Sequence, residues 1–155
     1  MKIKSRHISE KSFSPFGRVV IAPKTKPTSQ AVDYKFWSDI ADYAIEGETE
    51  IGICTVYKQR KPLITGMERH LRTPEILIPI DGPFVLPLLL DGASEDEACA
   101  FAVNPGEAVV INPAVWHGAC LPKGKKQSSY FVIFRKNTPH EDVQKTSVHP
   151  FEIVP

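Results

Sequence analysis

The sequence predicts an all-β fold, a sandwich or barrel of short strands, on three observations. Its 14 prolines and 9 glycines punctuate the chain every several residues from Gly47 onward, which leaves little room for long helices. Between the breaks lie runs rich in β-branched and aromatic residues, the types that suit a pleated, half-buried surface. The breaks carry turn chemistry, as in Asp81-Gly82, Asp91-Gly92 and Asn104-Pro105-Gly106, where glycine supplies positive φ at little steric cost.

Taken in order, Ser9 is suited to cap a short helical turn that runs through Phe16 and ends at Gly17. Phe36, Ile40, Tyr43 and Ala44 fall near helical spacing, so a second short helix is expected over Tyr34–Ile45. Strands follow at Glu50–Tyr57, Leu63–His70, Glu75–Ile80, Phe84–Leu90, Ala98–Val103, Ala108–Asn112 and Tyr130–Arg135. Many short strands with regular turn signals point to a sandwich or barrel rather than to βαβ units. The tail after Thr138 is polar and holds Pro139 and Pro150, so it is expected to wrap the surface. No internal repeat or low-complexity tract is visible. At 155 residues the chain is read as one domain, 1–155, able to bury a core without disulfide or metal staples.

Composition excludes several partners. Hydrophobic residues make up 42% and charged residues 24%, a globular balance without bias to disorder. With 19 basic against 18 acidic residues the net charge is +1, so no nucleic acid and no anionic membrane is expected as partner, because such binding needs a basic face. Lys123, Lys125 and Lys126 sit among Pro and Gly and read as a solvated loop. Cys54, Cys99 and Cys120 form no CxxC pair and read as small buried residues of a reducing compartment. The start of the chain has no apolar signal-peptide core, and the longest apolar run, Phe84–Leu90, contains Pro87 and is far too short to span a bilayer. A cytoplasmic protein is expected.

Chemistry concentrates in two places. Glu68 and His70 are two apart on a predicted strand and leave it on the same face, with Arg69 on the other. Glu75 opens the next strand after Thr73-Pro74, and His117 arrives from a distant strand behind Asn112-Pro113-Ala114-Val115-Trp116. Imidazoles and carboxylates delivered from separate strands into a barrel suit a divalent first-row metal, with positions left open for a substrate. Singly, each has an ordinary reading: a strand histidine is more often satisfied or exposed, a Glu beside a proline is more often a turn residue, and Trp116 reads as core. Arg72 reads either as a fork for a substrate carboxylate or as an exposed turn residue.

His70 to Gly82, in the pattern His-x4-Glu-x6-Gly, resembles the second half of the first cupin motif, whose opening histidine is here Glu68. Gly106 to His117 resembles the second cupin motif, with Asn112 at its proline position and Ala114 at its glycine position. The resemblance implies a cupin double-stranded β-helix, a jelly-roll barrel with one or two short helices, and one metal held by Glu68, His70, Glu75 and His117. Ser9–Val20, Met67–Pro79, Asp81–Leu90, Val115–His117 and Phe131–Arg135 resemble, more narrowly, the ureidoglycolate lyases of purine and allantoin breakdown, once called ureidoglycolate hydrolases. Two departures stand out. That family commonly has Gln at the position of Glu75, and often a second His where this chain has Gly118.

The resemblance implies a carbon–nitrogen lyase that cleaves ureidoglycolate, or a similar 2-hydroxy acid, to glyoxylate and urea with a divalent ion such as nickel, zinc, manganese or iron. The substrate is a hemiaminal, and a metal chelating its hydroxyl and carboxylate would ease loss of the hydroxyl proton. Glu68 is then either a fourth ligand or the base. Two other readings fit the same residues: a dioxygenase with a two-His, one-carboxylate iron site, and a non-catalytic cupin that binds a small molecule. The resemblance also implies a homodimer, since unpaired edge strands need covering.

Overall fold

A computed structural model describes residues 1–154. It begins with β1 (Lys2–Lys4), β2 (Arg6–His7), helix α1 (Glu10–Phe13) and β3 (Gly17–Val20). A small hairpin, β4 (Ser29–Gln30) and β5 (Lys35–Phe36), comes next. The barrel strands follow: β6 (Thr49–Tyr57), β7 (Leu63–Arg69), β8 (Glu75–Pro79), β9 (Phe84–Leu89), β10 (Cys99–Val103), β11 (Ala108–Ile111), β12 (Trp116–His117), β13 (Leu121–Pro122) and β14 (Gln127–Arg135). Helix α2 (Thr138–Glu141) and the long β15 (Gln144–Val154) complete the described chain.

Two sheets face each other. One runs β1-β15-β7-β12-β9-β10-β2, with β13 also paired to β9, and the other runs β3-β11-β8-β14-β6. This is the jelly-roll barrel that the cupin motifs implied. Its interior is filled by Phe84, Leu86 and Leu88 from β9 and by Leu77, Val109 and Val132 from the facing sheet. Strand β9 is buried at every position, because its other face packs under Val148, Phe151 and Ile153. Fully burying each such side chain stabilises the fold by roughly 1.5–3 kcal/mol.

At one end of the barrel, Ser9 caps α1 by accepting the Ser12 N–H at 3.1 Å, as its sequence position predicts. The turn drives Phe13 and Phe16 against Phe101, at centroid distances of 5.1 and 5.6 Å. Gly17 is required immediately afterwards. A Cβ there would lie 1.8 Å from the Val110 carbonyl oxygen, so β3 can lie this close to β11 only without a side chain.

Three expectations are corrected. No helix forms over Tyr34–Ile45; Lys35–Phe36 is a short strand and the rest is irregular. Phe36, Ile40 and Tyr43 are exposed, so their helical spacing meets no core, and a short helix without a packed face is marginal in water. The tail after Thr138 does not merely wrap the surface: β15 pairs with β7 and β1 and buries Val148, Phe151 and Ile153. An irregularity between Ser147 and Phe151 shifts the buried positions out of strict alternation, which conceals the strand from a period-two reading. Trp116 is only partly buried; it packs at the edge of the second core cluster, under the Arg69 guanidinium at 4.3 Å. All three cysteines are free. No helix among the described residues is long and apolar enough to cross a membrane.

Candidate metal centre

The chain between β7 and β8 carries His70 and delivers Glu75, and it is held at several points. His70 lies one residue beyond the end of β7, and its carbonyl accepts the Ala114 N–H at 2.7 Å. Ala114 therefore fixes the approach to β12, and it does so with φ at 67°, a left-handed backbone that an L-residue adopts at a cost. The Asp142 carboxylate accepts the Leu71 and Arg72 N–H groups at 2.9 and 2.8 Å. The Thr73 hydroxyl donates to the Pro74 carbonyl and accepts the Arg135 N–H at 3.0 Å, which ties the loop to the end of β14.

These tethers bring the expected residues together. The Glu75 Oε2 atom lies 3.5 Å from His70 Nε2 and 3.1 Å from His117 Nε2. The ligating atoms of Glu68, His70 and His117 lie within 4.8 Å of one another. His117 stands directly across from Glu68 between β12 and β7, so both side chains leave the same face of the sheet. Each element contributes differently: Glu68 and His117 come from one sheet, Glu75 from the other, and His70 from the turn between them.

The local chemistry suits a cation. His70 is 5% exposed, and its Nδ1 meets the Asp142 carbonyl at 2.7 Å. A carbonyl only accepts, so Nδ1 carries the proton and the Nε2 lone pair faces Glu75. Such an outward-tied imidazole is the arrangement in which histidine serves as a metal ligand. Glu75 Oε2 and His117 Nε2, both buried, have no hydrogen-bond partner among the described residues; their mutual approach is close but poorly aligned. Two buried polar atoms that converge on one point without a satisfied partner fit a divalent ion there once the His117 Nε2 is deprotonated.

The three groups also perturb one another's ionisation. Burial pushes the Glu75 carboxyl up, but His117 and His70 beside it outweigh burial and hold it below its ordinary range. For His70 burial is again the largest influence and pulls the imidazole down, yet contact with Glu75 and the Asp142 carbonyl carries it above its usual value. His117 goes the other way: burial lowers it more than Glu75 can restore.

The centre opens into a cavity of about 690 Å³. Its inner walls are apolar, with Leu77, Leu86, Val132 and Phe134, and its mouth carries Glu50, Lys145 and Ser147. Glu68, Glu75 and His117 line it directly, and His70 is not among its lining residues. Arg72 is exposed and does not line the cavity among the described residues; its backbone, not its guanidinium, serves the site through Asp142. Sequence reasoning missed Asp142, Thr73 and Lys145. Asp142 and Thr73 act through backbone hydrogen bonds that no spacing pattern encodes, and Lys145 sits on a strand whose alternation is broken.

The family model described as Ureidoglycolate lyase matches residues 1–154. Ureidoglycolate lyase 2 of Rhizobium meliloti (strain 1021) is 29% identical over 135 residues, covering 83% of this chain and 82% of that protein. Among solved structures, a dTDP sugar isomerase from Desulfovibrio desulfuricans G20 superposes with a TM-score of 0.56 at 14% identity, over 84% of this chain and 83% of that one. An oxalate decarboxylase from Bacillus subtilis overlaps in part: TM-score 0.46, 19% identity, 64% of this chain. The present chain spans only 24% of that longer protein.

Proposed function

Because the chain belongs to the ureidoglycolate lyase family, we propose that it cleaves ureidoglycolate, or a closely similar 2-hydroxy acid, to glyoxylate and urea. The observation that carries this reading is the convergence of His117 Nε2 and Glu75 Oε2, buried and without hydrogen-bond partners, at the floor of an open cavity. His70 and His117, both buried, together with Glu75, whose Oε2 is buried, would hold a divalent ion. Such an ion supplies Lewis acidity, lowering the pKa of a hydroxyl bound beside it.

Glu68 then has a separate task. It is only partly buried, lines the cavity and lies across the strand pair from His117, so it can reach a substrate hydroxyl without leaving its strand. Its carboxylate takes the hydroxyl proton as the C=O bond of glyoxylate forms. The electron pair of the breaking C–N bond stays with the urea nitrogen, and protonated Glu68 returns its proton there. Proton balance closes within one residue, and each such transfer contributes on the order of a hundred- to ten-thousandfold. The apolar walls formed by Leu77, Leu86 and Phe134 strengthen these interactions by excluding water.

The experiment is anaerobic assay of the metal-loaded protein with ureidoglycolate, following glyoxylate and urea together. Equimolar release is expected, and Glu68→Gln should lower kcat at least a hundredfold while metal content stays at the wild-type level. Loss of metal in Glu68→Gln would make Glu68 a ligand instead of the base. A second reading rests on the buried two-histidine, one-carboxylate set itself, which also suits an iron oxygenase. Oxygen consumption by the iron-loaded protein, without anaerobic glyoxylate release, would favour it.

A further inference from the structure

Glu68 has a neighbour on its other side. In the register of β15 with β7, Lys145 stands directly opposite Glu68, as His117 does from β12. The three residues form one row across three adjacent strands, and all three line the cavity. Directly opposed residues of an antiparallel pair share a face, with Cβ atoms roughly 4.5–5.5 Å apart. The row therefore runs from the metal-binding histidine, through the base, to an ammonium at the mouth.

Lys145 differs from the other charges there. Glu50, Glu68 and Glu75 are acidic, and among the described residues that line the cavity Lys145 alone carries the positive charge of a lysine or arginine. No carboxylate among the described residues lies within ion-pair distance of its ammonium, although the Glu68 strand position is adjacent. An unpaired cation at the mouth of an otherwise acidic cavity is placed for an anionic ligand. A 2-hydroxy acid whose hydroxyl meets Glu68 brings its carboxylate, borne on the same carbon, within the sweep of the lysine stem.

We infer that Lys145 is the specificity-determining residue for the substrate carboxylate, selecting 2-hydroxy acids over their neutral analogues. This rests on the lyase reading of the same site. A charge-assisted contact of this kind is worth about ten- to a hundredfold in affinity.

The test compares wild type, Lys145→Met and Lys145→Arg in two measurements on the metal-loaded protein. In turnover of ureidoglycolate, Lys145→Met is expected to raise KM about ten- to a hundredfold with kcat within a few-fold, and Lys145→Arg to recover most of the loss. In calorimetry, wild type is expected to bind glycolate at least tenfold more tightly than glycolamide, and Lys145→Met to erase that preference. An unchanged KM and an unchanged preference would overturn the inference. So would a loss confined to kcat with a displaced pH profile, which would mean that Lys145 serves the ionisation of Glu68. A wild type that releases no glyoxylate yet loses its glycolate preference in Lys145→Met would reject the lyase reading while supporting the role of Lys145. Because Lys145 is exposed on β15, the variants are expected to fold, and their melting temperatures check this.

Discussion

Asp142→Asn isolates the support of the centre from the centre itself. Asp142 is 8% exposed, and its two carboxylate oxygens accept separate backbone N–H groups, from Leu71 at 2.9 Å and Arg72 at 2.8 Å. Asparagine has nearly the same shape but replaces one oxygen with an NH₂ group, which only donates. One N–H of the loop must then face another donor, and the remaining bond loses its charge. Hydrogen bonds to charged groups are worth about 1.5–3 kcal/mol each, and water reaches part of this exposed loop, so a net loss of about 2 kcal/mol is expected. In a chain of 155 residues that corresponds to a fall in Tm of about 4–8 °C. The backbone carbonyl that orients His70 moves with the loop, so metal affinity should fall about 10- to 100-fold. Thermal unfolding and competition against a chromogenic chelator measure the two effects. A lowered Tm with unchanged metal affinity would refute the positioning role, and no change in either would refute the hydrogen-bond argument altogether.

Three further outcomes follow from named contacts. Ala114→Gly relieves a left-handed backbone at φ 67° and should stabilise by about 1 kcal/mol, raising Tm by about 2–4 °C; a decrease would contradict the strain argument. Gly17→Ala places a Cβ 1.8 Å from the Val110 oxygen, so β3 must separate from β11, and the variant should fail to give the cooperative unfolding transition of wild type. His117→Ala removes a proposed metal ligand from the cavity while leaving the strand pairing intact. Elemental analysis should show metal lost and circular dichroism should show the β content kept.

The barrel was legible because its strands obey simple chemistry. The run Phe84–Leu90 ends within a residue of β9, and Glu75–Ile80 within a residue of β8, since proline and glycine bound them on both sides. The four candidate ligands were legible for a different reason: motif spacing survives even where identities change, so Glu68, Asn112 and Ala114 hold their places. Ala114 shows what such a departure entails, because its turn holds a left-handed backbone at φ 67° that glycine suits better. What stayed hidden depends on partners far away in the chain. Gln144–Val154 has the look of a polar tail, and becomes a strand only because β7 offers it an edge. The reverse error arose at Phe36, Ile40 and Tyr43, whose periodicity suggests a face that nothing in the barrel is there to receive.

The distribution of the centre over both sheets has a kinetic consequence. Glu68 and Glu75 are close in sequence to His70, whereas His117 lies more than forty residues downstream on the opposite sheet from Glu75. An ion held by His70, Glu75 and His117 would act as a reversible cross-link, closing a long loop and clasping the two sheets of the barrel together. Ligand that binds only the folded state adds to stability as its free concentration rises, and a clasp that must open before the sheets part lengthens the lifetime of the folded chain. Metal supply would therefore set how long each molecule persists as well as how fast it turns over, with the emptied protein the first to be unfolded and cleared.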